Sequence, residues 1–175
     1  MEEKLDKVRF LVRDVRDYPK KGIVFKDITP VLKDPEAFSS VIESMAAKLS
    51  EMEFEYIASI EARGFIIGSA LAYKMGKGFI PLRKKGKLPY NTISREYALE
   101  YGNAAIEMHT DAVSKGSRVV IVDDLLATGG TSKAVTELVA EAGGEVACLI
   151  YFIELEFLKG REKLGGNKVI SLIKY

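Results

Sequence analysis

The residues best suited to chemistry lie in the segment Val119-Val-Ile-Val-Asp-Asp-Leu-Leu-Ala-Thr-Gly-Gly-Thr131. Four apolar residues typical of a buried strand lead to the paired acids Asp123 and Asp124, and a glycine-rich turn then opens a helix. Backbone N–H groups at a helix start bind anions, aided by roughly half a positive charge from the helix dipole. Gly129 and Gly130 let the backbone wrap closely around a phosphate, and carboxylates before such a turn can accept hydrogen bonds from a diol. The segment therefore predicts a site for a phosphorylated ribose.

Two familiar phosphate motifs do not describe this segment. The chain has no Gly-x-Gly-x-x-Gly after a predicted strand, which argues against a dinucleotide site, and no Gly-x-x-x-x-Gly-Lys-Ser/Thr loop of the nucleoside triphosphatases. The structural alternative is a solvated strand-to-helix turn with capping acids, which a lone Gly-Gly-Thr would favour. The complete run, with two acids after a buried strand, favours ligand binding.

Alternating strands and helices are predicted on both sides of the turn. Two strand–helix–strand units imply parallel pairing, and the alternation predicts an α/β fold with a mainly parallel sheet. Ligands of such sheets bind beyond the carboxyl ends of the strands, where the acids and the turn would lie. The predicted elements are strand 56–60, helix 65–75, strand 79–82, strand 118–122, helix 131–142, strand 146–152, a short helix near 154–164 and strand 168–173.

The N-terminal part predicts two helices separated by an extended segment. Apolar residues recur at helical spacing between Leu5 and Val15, and this helix should end near residue 18, because Pro19 disfavours the α conformation before it. Residues 21–30 then indicate a loop or a short extended segment. An acid, a proline and a second acid at 34–36 begin another helix, which runs to about residue 49.

Residues 84–110 interrupt the strand–helix alternation and predict a β-arm. Gly102-Asn103 is expected to form a hairpin turn between two alternating segments. Such an arm has few core residues and follows the basic run Arg83-Lys-Lys-Gly-Lys87, so it can move over a site. Side chains of its first strand alternate between an apolar face with Tyr97, Leu99 and Tyr101 and another face with Glu96, Ala98 and Glu100.

Composition limits the class of protein further. The chain has 175 residues, 26 basic and 25 acidic side chains, and a net charge of +1, which argues against broad nucleic-acid binding. Its apolar runs are too short to span a membrane, and the N-terminus lacks the apolar core of a signal peptide, so a cytoplasmic location is predicted. The single Cys148 lies in an apolar run and is expected to be a buried, inert thiol.

Several separated segments, taken together, resemble the type I phosphoribosyltransferase family. The likeness extends from Tyr18-Pro19 to the last residue and keeps the segments in order, which is far more specific than one motif. Within that family, the chain is similar to the members that act on adenine. The matching segments are Gly22-Ile-Val-Phe-Lys-Asp-Ile-Thr-Pro-Val-Leu-Lys-Asp-Pro35, Glu61-Ala-Arg-Gly-Phe65, Arg83-Lys-Lys-Gly-Lys-Leu-Pro89, Leu99-Glu-Tyr-Gly102 and the run 119–131.

The resemblance implies a fold, a reaction and an assembly. The chain would be a single phosphoribosyltransferase domain over 1–175, with a twisted sheet flanked by helices, a mobile β-arm and a small hood at 1–35 that contributes to base binding. The implied reaction is purine salvage, in which adenine and 5-phosphoribosyl 1-diphosphate give AMP and pyrophosphate. Mg²⁺ is expected, held mainly by substrate oxygens and water. The family also implies a homodimer, with no nucleic-acid or membrane partner.

The resemblance assigns the donor site residue by residue. The ribose hydroxyls would be held by Asp123 and Asp124. The 5-phosphate would be held by the turn residues Ala127, Thr128, Gly129, Gly130 and Thr131. The pyrophosphate group would contact the cations Arg63, Arg83, Lys84 and Lys87. A cis peptide bond is implied near Ala62–Arg63. From residue type alone, each of these cations also fits an ordinary solvated surface.

The resemblance likewise assigns the base site and the catalytic groups. Phe25 would stack on adenine, with backbone groups of Val24 and Lys26 reading the edge of the base. Arg63 and Glu100 are the implied catalytic residues, and Glu100 is the candidate for the purine N7 proton. Residue type alone equally fits a core position for Phe25 and a solvent-facing strand position for Glu100.

Two alternatives remain at this point. One is a transferase for hypoxanthine, guanine or xanthine, but family members acting on such bases usually carry an acid at position 127, where this chain has Ala127. The other is a non-catalytic regulator that binds the phosphoribosyl donor and controls transcription. About twenty residues precede the first matching segment and the charge is nearly balanced, so a DNA-binding module is not expected. His109, the only histidine, is expected in a strand and has no assigned catalytic role.

Overall fold

The structure is a computed structural model and describes residues 2–98 and 103–175. Its helices are α1 (Glu2–Leu11), α2 (Thr29–Lys33), α3 (Pro35–Leu49), α4 (Arg63–Met75) and α5 (Gly130–Glu141), with two 3₁₀ segments at Glu156–Leu158 and Gly160–Leu164. Its strands are β1 (Arg13–Arg16), β2 (Val24–Asp27), β3 (Tyr56–Ile60), β4 (Gly78–Lys84), β5 (Thr92–Ala98), β6 (Asn103–His109), β7 (Arg118–Leu126), β8 (Glu145–Glu154) and β9 (Val169–Lys174).

In the described part of the chain, the main sheet has the strand order β5-β6-β4-β3-β7-β8-β9. The pairs β3–β4, β3–β7, β7–β8 and β8–β9 are parallel, whereas β6 pairs antiparallel with both β4 and β5. β1 and β2 form a separate antiparallel pair. The predicted α/β fold with a mainly parallel sheet is therefore confirmed. No helix of the described residues is long and apolar enough to cross a membrane.

Side chains of β7 point alternately to the two faces of the sheet, and both faces are covered by helices, so its apolar run is continuous. Val120 and Val122 pack with α3 and α4 on one side of the sheet, and Val119 and Ile121 pack with α5 on the other. All four side chains are fully buried. A strand covered on both faces has no polar face, as is usual for the centre of a parallel sheet. The strand that carries the paired acids is thus fixed from both sides.

The predicted end of the first helix is wrong. α1 ends at Leu11 instead of near residue 18, and the chain turns into β1, which pairs with β2 in the register Val15 with Phe25. The apolar spacing continued past the helix because Val12, beyond its end, is also buried. Tertiary strand pairing, which local periodicity does not report, decides the conformation of residues 13–16.

Two other boundaries differ from the prediction. β7 continues through Leu126, so the acids lie in the strand and not after it. β8 continues through Glu154, and the predicted helix at 154–164 is instead two short 3₁₀ segments. The N–H of Leu155 donates to the carbonyl of Leu126 (2.9 Å), which extends sheet bonding past the end of β8. The helix at 34–49 is confirmed, with the Asp34 side chain accepting from the N–H of Ala37.

The β-arm is formed by β5 and β6, which pair from Thr92 with His109 to Ala98 with Asn103. Asn103 thus lies in β6. The connection at 99–102, including Gly102 of the predicted turn, lies outside the described residues. The predicted faces of the arm can be checked only up to Tyr97, since Leu99, Glu100 and Tyr101 also lie outside them.

Candidate active site

The paired acids lie where β7 meets the start of α4. Asp124 is 4% exposed, and its backbone N–H donates to Asp123 Oδ1 (2.9 Å). A β-carbon on Gly64 would lie 2.6 Å from Asp123 Oδ1, so only glycine permits this approach of the helix to the acid. Gly64 therefore closes one side of Asp123, and both acids lie towards the carboxyl end of β7.

The electrostatics of this pair are unfavourable for two charges. Burial raises the pKa of Asp123 well above its ordinary value, and the charge of Asp124 raises it further. Burial also raises the pKa of Asp124, with Arg63 opposing the shift. Buried carboxylates with raised pKa values are stabilised by any cation or hydroxyl donor that approaches them. Such a pair can accept hydrogen bonds from a sugar diol, and when ionised it can stabilise a developing positive charge.

Residues 127–131 turn the chain from β7 into α5. Gly129 is the N-cap of α5 with φ +76° and provides no side-chain cap, while the N–H of Lys133 donates to the Gly129 carbonyl (3.0 Å). The first-turn N–H groups of a helix have no intrahelical acceptor. These N–H groups and the hydroxyls of Thr128 and Thr131 thus form a donor-rich cup beside the acids, suited to a phosphate.

Arg63 connects the acids to the separate β1–β2 pair. Its Nε lies 2.9 Å from Asp124 Oδ2, and its guanidinium lies 4.8 Å from the centre of the Phe25 ring. Nη1 of Arg63 and Oδ2 of Asp124 are nevertheless buried without an aligned hydrogen bond, so the contact is an ion pair with spare bonding capacity. A cis peptide bond lies at Glu61–Ala62, one bond before the predicted position. The arginine is thus placed to exchange its carboxylate for an anionic ligand.

The β1–β2 pair places Phe25 towards Arg63 and Lys26 away from it. Tyr18 contacts the Phe25 ring edge-on, with centroids 5.2 Å apart. Nζ of Lys26 lies 2.6 Å from Asp14 Oδ1 and 3.8 Å from the centre of the Tyr175 ring. Only 11% of the Lys26 side chain is exposed. The Lys26 side chain is therefore engaged with Asp14 and Tyr175.

The basic loop after β4 is held by two acids. Arg83 Nε donates to Glu61 Oε2 (2.9 Å), and Arg83 Nη1 donates to the Lys87 carbonyl (3.0 Å). Glu107, 4% exposed in β6, accepts from the N–H groups of Lys87 and Leu88. Lys84 and Lys87 are exposed, and their ammonium groups have no partner among the described residues. The structure thus presents these lysines to solvent near Glu61, while Glu100 lies outside the described residues.

Comparison with known proteins identifies the family. A model of the phosphoribosyl transferase domain matches residues 30–164. The adenine phosphoribosyltransferase of Acetivibrio thermocellus is 59% identical over 165 residues, covering 94% of this chain and 96% of that protein. The chain belongs to the adenine phosphoribosyltransferase family. The predicted resemblance is confirmed.

Solved structures of adenine phosphoribosyltransferases share the fold along the whole chain. That from Thermoanaerobacter pseudethanolicus superposes with a TM-score of 0.96 at 56% identity, covering 98% of this chain and 99% of that one. That from Saccharomyces cerevisiae, complexed with an imino-altritol bisphosphate and adenine, superposes with a TM-score of 0.91 at 35% identity, covering 97% and 98%. The phosphoribosyltransferase fold predicted from the sequence is confirmed by these structures.

Sequence reasoning missed the acids that hold the site of this phosphoribosyltransferase together. Glu61 and Glu107 anchor the basic loop, and Glu154 anchors the segment after β8 through Arg161. Glu107 lies between buried Ile106 and Met108, where an alternating strand normally exposes its polar face, so periodicity gave no signal. Glu154 directly follows the apolar run of β8. The prediction ended this strand at residue 152, so it did not recognise Glu154 as an acid at the strand end.

Proposed function

We propose that this chain converts adenine and 5-phosphoribosyl 1-diphosphate to AMP and pyrophosphate in purine salvage. In this reaction, the bond from ribose C1 to the diphosphate oxygen breaks, a bond from C1 to a base nitrogen forms, and the base releases one proton. The observation that carries the proposal is the Asp123–Asp124 pair, half-buried at Asp123 and buried at Asp124, beside a donor-rich turn in a chain of the adenine phosphoribosyltransferase family.

The donor sugar would lie across the end of β7. Its 5-phosphate accepts hydrogen bonds from the turn formed by Ala127, Thr128, Gly129, Gly130 and Thr131, and its 2- and 3-hydroxyls donate to Asp123 and Asp124. Raised carboxyl pKa values support this placement, because hydroxyl donors relieve the cost of two buried charges. As the C1–oxygen bond breaks, these carboxylates stabilise the positive charge that develops on the ribose.

The leaving pyrophosphate would be neutralised by cations from two loops. Arg63 exchanges its contact with Asp124 for the diphosphate, which its unsatisfied Nη1 supports. Arg83 remains braced by Glu61, and the exposed ammonium groups of Lys84 and Lys87 add charge at the outer side. Arginine guanidinium groups and exposed lysines suit a polyanion better than a neutral ligand.

Mg²⁺ binding with the donor is part of the proposal. In the described part of the chain, no three His, Cys, Asp or Glu side chains come together as a metal site. The residues that fit are Asp123 and Asp124, whose pKa values are raised by burial and which need positive charge nearby. They would hold the ion through ribose hydroxyls and water, as Mg²⁺ prefers. When bound, the ion neutralises charge on the diphosphate.

Adenine would stack on Phe25 and be read by backbone groups of Val24 and Lys26. The engagement of the Lys26 side chain with Asp14 and Tyr175 supports the backbone role. Ala127 places no acid beside the base, which favours adenine over 6-oxopurines. Glu100, outside the described residues, is proposed to handle the N7 proton. Arg63 contacts the Phe25 ring, so release of that contact on donor binding would free the ring for the base.

The domain organisation and the assembly are also proposed. Residues 1–175 form one domain in which 1–35 contribute the hood, supported by the packing of β1–β2 against Arg63 and Tyr175.

A homodimer is supported by apolar side chains exposed on α4 and β4, with Tyr73 92%, Ile66 44% and Phe79 37% exposed. Sedimentation of the chain as a monomer would contradict the dimer. The cytoplasmic location stays a prediction.

A product assay with Mg²⁺, the phosphoribosyl donor and one purine base at a time tests the proposed reaction. We expect AMP from adenine and little product from hypoxanthine, guanine or xanthine. Product from another base would keep the donor site and overturn the assignment of the base pocket. Tight donor binding without product from any base would support a non-catalytic regulator.

A further inference from the structure

A second layer of backbone lies directly behind the turn 127–131. Gly160, at the start of the second 3₁₀ segment, is buried against it. A β-carbon on Gly160 would collide with the carbonyl oxygen of Ala127 and lie 2.9 Å from the Gly129 nitrogen. A β-carbon on Gly129 would in turn collide with the Gly160 carbonyl. The two backbones therefore touch without an intervening side chain, and a movement of one displaces the other.

An ion pair between buried Glu154 and the partly exposed Arg161 holds Gly160 in this place. Arg161 donates to both carboxylate oxygens of Glu154, from Nε to Oε1 (3.0 Å) and from Nη2 to Oε2 (2.5 Å). Its Nη1 donates to the Val169 carbonyl (2.8 Å), and the Ser171 hydroxyl donates to Glu154 Oε2 (2.6 Å). Glu154 is 4% exposed. A bidentate arginine with a third backbone bond fixes direction as well as distance.

The carboxylate end of this pair is fixed to the sheet beside the turn. Glu154 is the last residue of β8 and lies opposite Leu126, the last residue of β7. The N–H of Leu155 continues the ladder by donating to the Leu126 carbonyl (2.9 Å). Hydrogen bonds from Arg161 lower the pKa of Glu154, so the pair is charged at neutral pH. The ion pair thus joins the two strand ends to the loop that supports the turn.

We infer that Glu154 and Arg161 are positioning residues for donor binding, which press Gly160 against the turn 127–131 and keep its N–H groups directed at the 5-phosphate. The inference rests on the 5-phosphate role proposed above for that turn. A backbone cup binds an anion well only when its donors are ordered before the anion arrives. Neither side chain needs to touch the donor, so their effect is confined to the phosphate end of the site.

The variants Glu154→Gln and Arg161→Lys test this role, since both keep most of the packing while breaking the bidentate pair. Titration calorimetry would measure the dissociation constants of ribose 5-phosphate and of pyrophosphate. We expect the first to rise about tenfold or more, because a misplacement of about 1 Å can cost about 10²-fold. The second should change less than about twofold, and kcat at saturating donor should be largely kept while the donor KM rises.

Two control variants separate positioning from general destabilisation. Lys7→Met removes the exposed Lys7–Glu36 pair (2.8 Å) between α1 and α3, and should leave both dissociation constants unchanged. Val41→Ala opens a cavity in the core on α3 and lowers the unfolding midpoint. If Val41→Ala weakens ribose 5-phosphate as much as Arg161→Lys does, the positioning role is refuted.

The remaining outcomes distinguish this inference from the role proposed for the turn. Thr131→Val removes a hydroxyl of the turn itself and should weaken ribose 5-phosphate. If Thr131→Val weakens it while Glu154→Gln and Arg161→Lys do not, the positioning role fails and the turn keeps its role. If the unchanged protein binds pyrophosphate but not ribose 5-phosphate, the role of the turn fails, and this inference fails with it. Equal loss of both ligands in the two variants would also overturn the inference.

Discussion

The turn at 127–131 and the β1–β2 pair are the two proposed sides of the active site, and they are stabilised in different ways. Buried backbone of Gly160 and the nearly inaccessible Glu154 support the turn. The β1–β2 pair lies nearer the surface and is held by Tyr175, whose ring contacts Lys26 at 3.8 Å and Arg9 at 5.1 Å. The turn, which is the side proposed for the phosphoribosyl donor, is therefore held by tertiary packing. The β1–β2 pair, which is the side proposed for the base, depends on a few partly exposed side chains. Substitutions on the donor side should accordingly be much more damaging.

The largest effect is expected from Asp124→Asn. This change removes the charge proposed to face the ribose and leaves Arg63 without its carboxylate partner. We expect kcat/KM to fall about 10²- to 10³-fold, the range found when one preorganised electrostatic group is removed from an active site. Steady-state kinetics would measure the loss. The exposed Asp111→Asn is the matched control. Turnover of Asp124→Asn equal to that of the control would remove the ribose role of Asp124.

Glu100→Gln should give the next largest effect and should act on chemistry rather than on binding. General acid–base help is typically worth about 10²- to 10⁴-fold, and solvent can replace part of it, so we expect kcat to fall by about 10²-fold. The adenine KM should change little. Kinetics with varied adenine separate the two parameters. If kcat is unchanged, the base proton is handled by solvent or by another group.

Phe25→Leu tests the base side and should have a smaller effect than either change above. Loss of a stacking ring costs about 1–3 kcal/mol per base, so the adenine KM should rise about tenfold while the donor KM stays the same. Leucine retains apolar contact with Tyr18, which limits damage to the hood. A rise of the donor KM instead would mean that Phe25 acts through Arg63, whose guanidinium lies over its ring.

The variant Asp123→Asn tests whether the charge of Asp123 lowers the stability of the folded chain. The pKa of Asp123 is raised by burial and by Asp124, so its stabilising contribution is present below the ordinary value of 3.8 and is lost as pH rises through the folded-state pKa. Above that folded-state pKa, the ionised side chain opposes folding. We expect Asp123→Asn to increase the free energy of unfolding at neutral pH, with the gain shrinking as pH falls towards about 4. Denaturant titrations across that range would measure it, and a loss of stability at neutral pH would refute the cost assigned to this charge.

The smallest effect is expected from Lys26→Arg. A guanidinium can pair with Asp14 and stack on Tyr175 as the ammonium does, and the backbone of β2 is unchanged. We expect changes below about twofold in kcat and in the adenine KM. A marked change in preference among purine bases would show that the side chain, rather than the backbone, reads the base.

Local pattern predicted the parts of the structure that local residues control. The apolar run of β7, the cap at Asp34 and the glycine-rich turn each predicted the element they belong to, although β7 continues past the acids to Leu126. The β1 strand was predicted as helix, because its pairing with β2 is a tertiary contact that residue periodicity does not encode.

The candidate residues of the site were predicted from the sequence, but the contacts that hold them in place were not. The roles of Arg63 and Phe25 came from the family resemblance, and neither their contact nor the Arg63–Asp124 ion pair could be predicted from residue spacing. The approach of Gly160 to Gly129 joins positions remote in sequence and depends on the strand register of β7 and β8. Only the assembled fold specifies such a contact.

The central claim is that a phosphorylated ribose binds across the end of β7, and a crystal structure with ribose 5-phosphate tests it most directly. We predict the phosphate within hydrogen-bonding distance of the N–H groups of residues 128–131, with the ribose hydroxyls on Asp123 and Asp124. A phosphate bound instead at the basic loop around Lys84 and Lys87, with the turn empty, would contradict the account.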